Sequence, residues 1–417
     1  MQLQKGIQLH FIKTTKFKDI GISIRFRNTL SERNAAPRSL LALMLCDRSF
    51  TYDTKEKMNA VLDRMYGATL NAQTAGYGKA QVLEIKTKIV NPSYINYEID
   101  LLKESFIFLH EILFAPLLSE EVFQESKAIL LAKIERNEDD PSQFAISEGL
   151  KFAGVNTPLA ISSLGEKKRV KEITLNDIKK AYQSLLQEDL IDIIICGDVD
   201  EEITKENVLK QLVFTPRESN IASYYRVENN LHEEEHFAYK KISQSSIMMT
   251  WFTNTSVKDE AYYALRVANA MLGQYSTSLL FQEVREKNSL CYSIFSNLIS
   301  YDGALGVTTG VEKANIAKSV ALIKEQFKKI VDNDFSDELF NVSKEMIVNS
   351  LKASNDNMNS LFALQYQNIL LQNTYTTNDV IALVESVKRE QVVQALSLCE
   401  LKMTYVLSQG EANEENK

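Results

Sequence analysis

Apolar residues alternate with small or polar ones over Ile20 to Phe26, and Val82 to Ile89 is similarly rich in β-branched residues; both stretches are predicted as strands. Between and after them the apolar spacing lengthens to that of a helix. Helices are predicted over Lys55 to Tyr66, Tyr94 to Leu113 and Glu120 to Asn137. Leu190 to Ile195, Lys402 to Leu407 and Cys291 to Phe295 read as further strands. Clusters such as Phe106-Ile107-Phe108-Leu109 and Met248-Met249-Thr250-Trp251-Phe252 have core spacing and predict packing.

The pattern occurs twice. Leu102-Lys103-Glu104-Ser105-Phe106 returns as Ile323-Lys324-Glu325-Gln326-Phe327, and Glu121 to Lys127 returns as Glu338 to Lys344. Ser142-Gln143-Phe144-Ala145 is echoed by Ser360-Leu361-Phe362-Ala363. The polar-capped helix and strand over Ile173 to Gly197 match the layout of Val387 to Gly410. Corresponding segments lie roughly 212 to 221 residues apart, far beyond a solenoid repeat, so one domain has been duplicated. Thr215-Pro216-Arg217 breaks any helix, and the stretch after it is polar and acidic. The expected organisation is a first domain over 1–214, a linker over 215–236 and a second domain over 237–417. Strands and helices mix without strict alternation. That predicts an α+β fold of two homologous halves, each a largely antiparallel sheet flanked by helices.

Composition narrows the function. The 417 residues are 45% hydrophobic and 24% charged, as in soluble globular proteins, and the net charge of −8 argues against a nucleic-acid or anionic-membrane surface. The longest apolar runs, such as Leu40 to Cys46, are too short to span a bilayer, and Met1 to Lys18 has no apolar block of signal-peptide length. A cytoplasmic location is expected. Cys46, Cys196, Cys291 and Cys399 are isolated and suggest neither a disulfide framework nor a metal knuckle. Phosphate-binding glycine loops are absent.

One segment has chemistry in its spacing. Around Phe281 to Tyr292, Leu279, Leu280, Val284 and Leu290 can face a core, which leaves Arg285 near a helix end and Tyr292 entering a strand. A guanidinium fork and a phenol hydroxyl brought together there can grip a peptide carbonyl or an oxyanion. The alternative is that Arg285 pairs with an acidic neighbour and Tyr292 packs.

Several segments, in order and at matching distances, resemble the M16 metallopeptidases, the family of pitrilysin, insulin-degrading enzyme and mitochondrial processing peptidase. Gly67-Ala68-Thr69-Leu70-Asn71-Ala72-Gln73-Thr74 is similar to the family's G-G-x-x-N-A-x-T, with Ala68 for the second glycine. Arg285-Glu286-Lys287-Asn288-Ser289-Leu290-Cys291-Tyr292 is similar to R-E-x-x-G-L-x-Y, with Ser289 for the glycine. Pro116 to Ile134 with Asp140-Pro141, Cys196 to Val199 and Ser278 to Phe281 also fit. The resemblance covers nearly the whole chain and is strongest to the short bacterial members. It implies two homologous α+β halves enclosing a chamber.

The resemblance also exposes a loss. An active member carries H-x-x-E-H on a first-half helix, two histidines holding zinc and the glutamate serving as base, with a further glutamate ligand downstream. The family spacing places those positions on Ser39, Ala42 and Leu43. The downstream ligand, counted from the retained Glu125, falls on Ala132. A different string, His232-Glu233-Glu234-Glu235-His236, matches the metal pattern formally, but it lies in the acidic linker before strand-like Phe237. His10 and His110 have no partner at ligand spacing.

The expected function is therefore an inactive M16 homologue with no cofactor of its own. It pairs as a heterodimer with a zinc-bearing M16 subunit and contributes Arg285 and Tyr292 to the binding of a peptide substrate. One alternative is a purely structural M16-like scaffold. Another is a standalone metalloprotease using His232 and His236.

Overall fold

The computed structural model describes residues 1–95 and 100–410. The first part of the chain runs β1 (Gln2–Gln4), β2 (Ile7–Lys13), β3 (Asp19–Thr29), α1 (Glu32–Leu45), α2 (Lys55–Arg64), β4 (Thr69–Tyr77), β5 (Ala80–Val90), α3 (Leu101–Phe114), α4 (Glu120–Asp139), α5 (Pro141–Ala153), α6 (Lys167–Glu172), α7 (Leu175–Gln187), β6 (Leu190–Gly197) and α8 (Glu201–Gln211). The remainder runs β7 (Glu234–Lys240), β8 (Ser245–Phe252), α9 (Tyr262–Asn269), β9 (Cys291–Ile299), β10 (Ala304–Val311), α10 (Ile316–Val331), α11 (Asp337–Ser354), α12 (Met358–Leu371), α13 (Thr377–Ser386), α14 (Arg389–Ser397) and β11 (Glu400–Gln409).

Most expected elements appear within a few residues of their predicted ends. The helix expected from Tyr94 differs. Tyr94 closes a 3-10 turn, Pro92–Tyr94, and α3 starts at Leu101 behind Asp100, whose carboxylate accepts from the Lys103 amide. Pro92 and the Asn91 cap favour a turn where apolar periodicity alone predicted helix. Residues 96–99 of that expectation lie outside the described residues.

The duplication is visible in the strand order. One sheet reads β1-β2-β6-β3-β5-β4 and the other β7-β11-β8-β10-β9. Without the short β1, the two are the same path. Each has one parallel pair, β2 with β6 and β7 with β11, and antiparallel pairs elsewhere. The fold is thus α+β, with two homologous, mostly antiparallel sheets flanked by helices.

The chain forms two compact units, and each recruits one helix from the other part of the sequence. The first unit comprises 1–135, 162–222 and 355–370, and the second 136–161, 223–354 and 371–417. In the first unit, Ile22, Ile24 and Phe26 of β3 and Ile191, Ile193 and Ile195 of β6 bury one sheet face in a core with Leu40 and Leu41 of α1 and Phe106 and Leu109 of α3. α12 lies on the other face. A Cβ at Gly21 would come within 2.5 Å of Met358 Sδ and 2.9 Å of Phe362, so the strand glycine is what admits the helix. In the second unit, Ile247, Met249 and Trp251 of β8 face a core with α9, α10 and α14. α5 lies on the opposite face, where a Cβ at Gly149 would come within 2.8 Å of Met248. α5 and α12 contain the echoed segments Ser142 to Ala145 and Ser360 to Ala363. Among the described residues, no helix is long and apolar enough to cross a membrane.

Candidate functional site

The segment Phe281–Lys287 is a π-helix, a wider turn that recurs at functional sites because it re-aims side chains. Leu280 and Val284 are wholly buried and fix its inner side. The turn is closed by the Ser289 amide donating to the Arg285 carbonyl at 3.0 Å and the Leu290 amide donating to the Val284 carbonyl at 3.1 Å. Ser289 reaches this turn with φ of +51°, a left-handed conformation that costs a residue with a Cβ about 1 kcal/mol. Gly67, at the corresponding place before β4, has φ of +72°. Ser289→Gly should therefore stabilise the protein by about 0.5–1 kcal/mol in urea unfolding, with no change in the exposure of the Arg285 segment. An unchanged or lowered midpoint would show that the turn carries no strain.

On the outer side, Arg285 stacks its guanidinium over Phe281, 4.4 Å from the ring centroid, and lies 5.7 Å from the Tyr292 ring centroid. Stacking holds the fork in one plane and leaves its N–H edge free. The acidic neighbour weighed from the sequence is Glu286, whose carboxylate is 3.6 Å from Arg285 Nε, beyond a hydrogen bond. Tyr292 is the second residue of β9 and is 82% exposed, so its ring is not packed. Among the described residues, neither Arg285 nor the Tyr292 hydroxyl makes a hydrogen bond. The structure thus brings these two residues together, Arg285 in an ion pair with Glu286 as the alternative reading expected, and Tyr292 unpacked.

The positions matching the metal motif are occupied differently. Ser39 on α1 is buried, its hydroxyl 2.6 Å from Thr74 Oγ1 and donating at 2.7 Å to the Ser163 carbonyl. The same carbonyl accepts from Gln81 Nε2 at 2.7 Å and Thr74 Oγ1 at 3.3 Å. α1, β4, β5 and the loop before α6 are joined there by hydroxyl and amide groups. Ala42 is buried, Leu43 is half-buried against the core, and Ala132 is on the exposed side of α4. A zinc site needs imidazole, thiolate or carboxylate donors, and this set supplies none, so it does not fit the metal. Glu125 is committed elsewhere, accepting from Lys55 Nζ at 2.7 Å and Arg48 Nη2 at 2.5 Å, which holds its carboxyl below the usual range. Among the described residues, no group of three or more His, Cys, Asp or Glu side chains is arranged to hold a metal ion.

The linker motif is not helical. β7 begins at Glu234 and pairs in parallel with β11, with His236 opposite Tyr405. The His236 ring stacks on Phe152 at 4.0 Å, and His232 precedes the strand in an exposed position. Glu233 bonds Lys324 Nζ at 2.6 Å. Thiol nucleophiles are also disfavoured. Burial pushes Cys46 and Cys399 up to about 12 and Cys196 to about 11, and raises Cys291 against the lowering by Thr309 and Arg285.

A polar sheet face was missed by sequence reasoning. In register across four strands lie Asp192, Arg25, Glu84 and Gln73. Burial works to raise the Glu84 carboxyl, but Arg25 at 2.8 Å, with Ser23 and Gln73, outweighs it and keeps the group ionised. Arg25 stacks on Tyr366 of α12 at 4.2 Å, and His10 faces Asp192 at 3.7 Å. The signal was available in the period-two placement of Ser23 and Arg25 between Ile22, Ile24 and Phe26. Its partners come from strands and a helix far apart in the sequence.

The chain is similar to known proteins over its whole length. Residues 172–347 match the family model described as the Peptidase M16 inactive domain. The chain is 27% identical over 407 residues to the probable inactive metalloprotease YmfF of Bacillus subtilis, covering 96% of each. It is 23% identical to the non-peptidase homologue YmxG of Helicobacter pylori, covering 75% of each. A conserved protein of Enterococcus faecalis superposes with a TM-score of 0.92 at 29% identity, covering 100% of this chain and 99% of that one. A protease of Helicobacter pylori shares the fold, with a TM-score of 0.83 at 15% identity and 98% of each chain covered.

Proposed function

We propose, since this chain belongs to the M16 peptidase family as an inactive homologue, that it is the non-catalytic subunit of a two-subunit zinc peptidase. The carrying observation is the asymmetry of its two candidate centres. The metal positions supply no ligand, Ser39 being tied into a buried hydroxyl joint, whereas a half-buried Arg285 lies beside an exposed Tyr292 and both are free of hydrogen bonds. A homologous subunit with an intact H-x-x-E-H would hold the zinc and its water. Arg285 would donate its fork to the scissile carbonyl, and Tyr292 would add a hydroxyl donor as the oxygen becomes an oxyanion. The substrate class is a peptide in extended form, whose main chain can add to a sheet edge. The work of this chain is then binding and charge stabilisation, with water activation left to the partner.

The test is reconstitution. The purified chain is mixed with an M16 homologue from the same organism that carries the zinc motif, and mass, zinc content and peptide turnover are measured. The expected result is a one-to-one complex with one zinc per pair and turnover that neither chain shows alone. Full turnover by the zinc-bearing chain alone, with no complex formed, would overturn the proposal.

A further inference from the structure

The two units carry the same groove with opposite chemistry. In the first unit, α1 packs on α7 and leaves a cavity of about 350 Å³. In the second, α9 packs on α14 and leaves one of about 320 Å³. The linings correspond: Asp177, Lys180, Ala181 and Ser184 of α7 stand where Gln391, Gln394 and Ala395 of α14 and Leu398 at its C-terminal cap stand. The groove itself is therefore a product of the duplicated helix packing. Its charge is not. Arg33, Arg169 and Lys180 line the first cavity, and Glu260, Leu383 and Gln394 take their places in the second.

We infer that the α1–α7 groove of the first unit is a binding site for a compact phosphate-type anion, of the size and charge of pyrophosphate. Arg33 and Lys180 make no hydrogen bond or close ion pair among the described residues, and Lys180 and Arg169 act on Asp177 only through space. Arg169 comes no nearer than 4.0 Å to Glu172. Beneath them lies Arg38, 3% exposed, donating to Asp189 at 2.5 Å and to the Phe26 carbonyl at 2.9 Å, with its Nε left without an acceptor. Three acids stand around the cavity, and each is engaged. Asp177 caps α7 by accepting from the Thr174 amide and hydroxyl, Glu188 accepts from Ser184 at 2.5 Å, and Asp189 is held by Arg38 and Asn28. Arg33, Arg169 and Lys180 outnumber Asp177 and Glu188 in the lining, and the excess of positive charge favours a further anion between them. The lining has no aromatic ring on which a nucleobase could stack, which points to the phosphate group as the recognised element.

Calorimetric titration of the full chain with sodium pyrophosphate at physiological ionic strength tests the site. One-site binding is expected, with inorganic phosphate weaker and succinate, a dicarboxylate of similar length, weaker still. Arg33→Glu/Arg169→Leu/Lys180→Gln, which gives the first groove the residues of the second, should lose at least about tenfold in affinity. All three residues lie on helix surfaces, so the circular dichroism spectrum should not change. Lys13→Glu/Lys241→Glu removes the same formal charge from exposed positions elsewhere and should bind like the wild type. Absence of binding to the wild type, succinate binding as tightly as pyrophosphate, or equal weakening in both variants would each overturn the assignment.

Discussion

Arg285→Ala should leave the chain folded and able to pair with a zinc-bearing subunit while lowering peptide turnover of the complex by roughly a hundredfold. The stability cost should be small. The side chain is 34% exposed, and its contacts are the Phe281 and Tyr292 rings and a solvent-screened ion pair with Glu286, so the loss should stay within about 1 kcal/mol. The catalytic cost should be larger, because a donor aimed at a developing oxyanion is worth most in the transition state. Arg285→Lys should recover only part of the activity: an ammonium neither stacks as a plane on Phe281 nor presents two parallel donors. Tyr292→Phe should cost less than Arg285→Ala, since one neutral hydroxyl is removed from an already exposed ring. The measurement is turnover by complexes whose assembly has been confirmed by mass. Wild-type turnover with Arg285→Ala would reject a role in trans and leave the structural-scaffold reading.

Rebuilding the lost motif, with Ser39→His, Ala42→Glu and Leu43→His together, should yield an unstable protein without peptidase activity. Ser39 is 4% exposed and its hydroxyl serves both Thr74 and the Ser163 carbonyl, so imidazole there breaks the joint between α1 and the loop before α6. Ala42 is 2% exposed, and a carboxylate in its place would be buried without a partner, at a cost of several kcal/mol. Together a loss of about 4 kcal/mol or more is expected. Ala132 supplies no further ligand. Urea unfolding, elemental analysis and a peptide assay on the same sample decide the matter. Zinc-dependent cleavage with an unchanged unfolding midpoint would refute the argument.

The two centres differ in how far they could be read from the sequence. The missing ligands are a question of residue identity at given positions, and a one-dimensional string answers that directly. The Arg285 segment was partly legible: Leu280, Val284 and Leu290 turn inward as their spacing implies. The π-helical geometry that lays the guanidinium on Phe281 was not, because it depends on how the turn closes at Ser289. The polar face joining Asp192, Arg25, Glu84 and Gln73 was not legible either, since strand register brings together residues from four separate segments.

By itself, the sequence determined that the domain is duplicated and that each copy mixes strands and helices in the same order. These properties reside in local pattern and residue identity. Tertiary structure alone decided which sheet each helix covers. An apolar helix face states that something must bury it, not what. α12 joins the first unit because Gly21 leaves room for Met358 and Phe362, and α5 joins the second because Gly149 lets it approach Met248 and Tyr405. Tertiary structure also decided that Arg33, Arg169 and Lys180, scattered over two helices and the end of a third, line one cavity. Charge repulsion and complementarity act through space, and chain order does not record them.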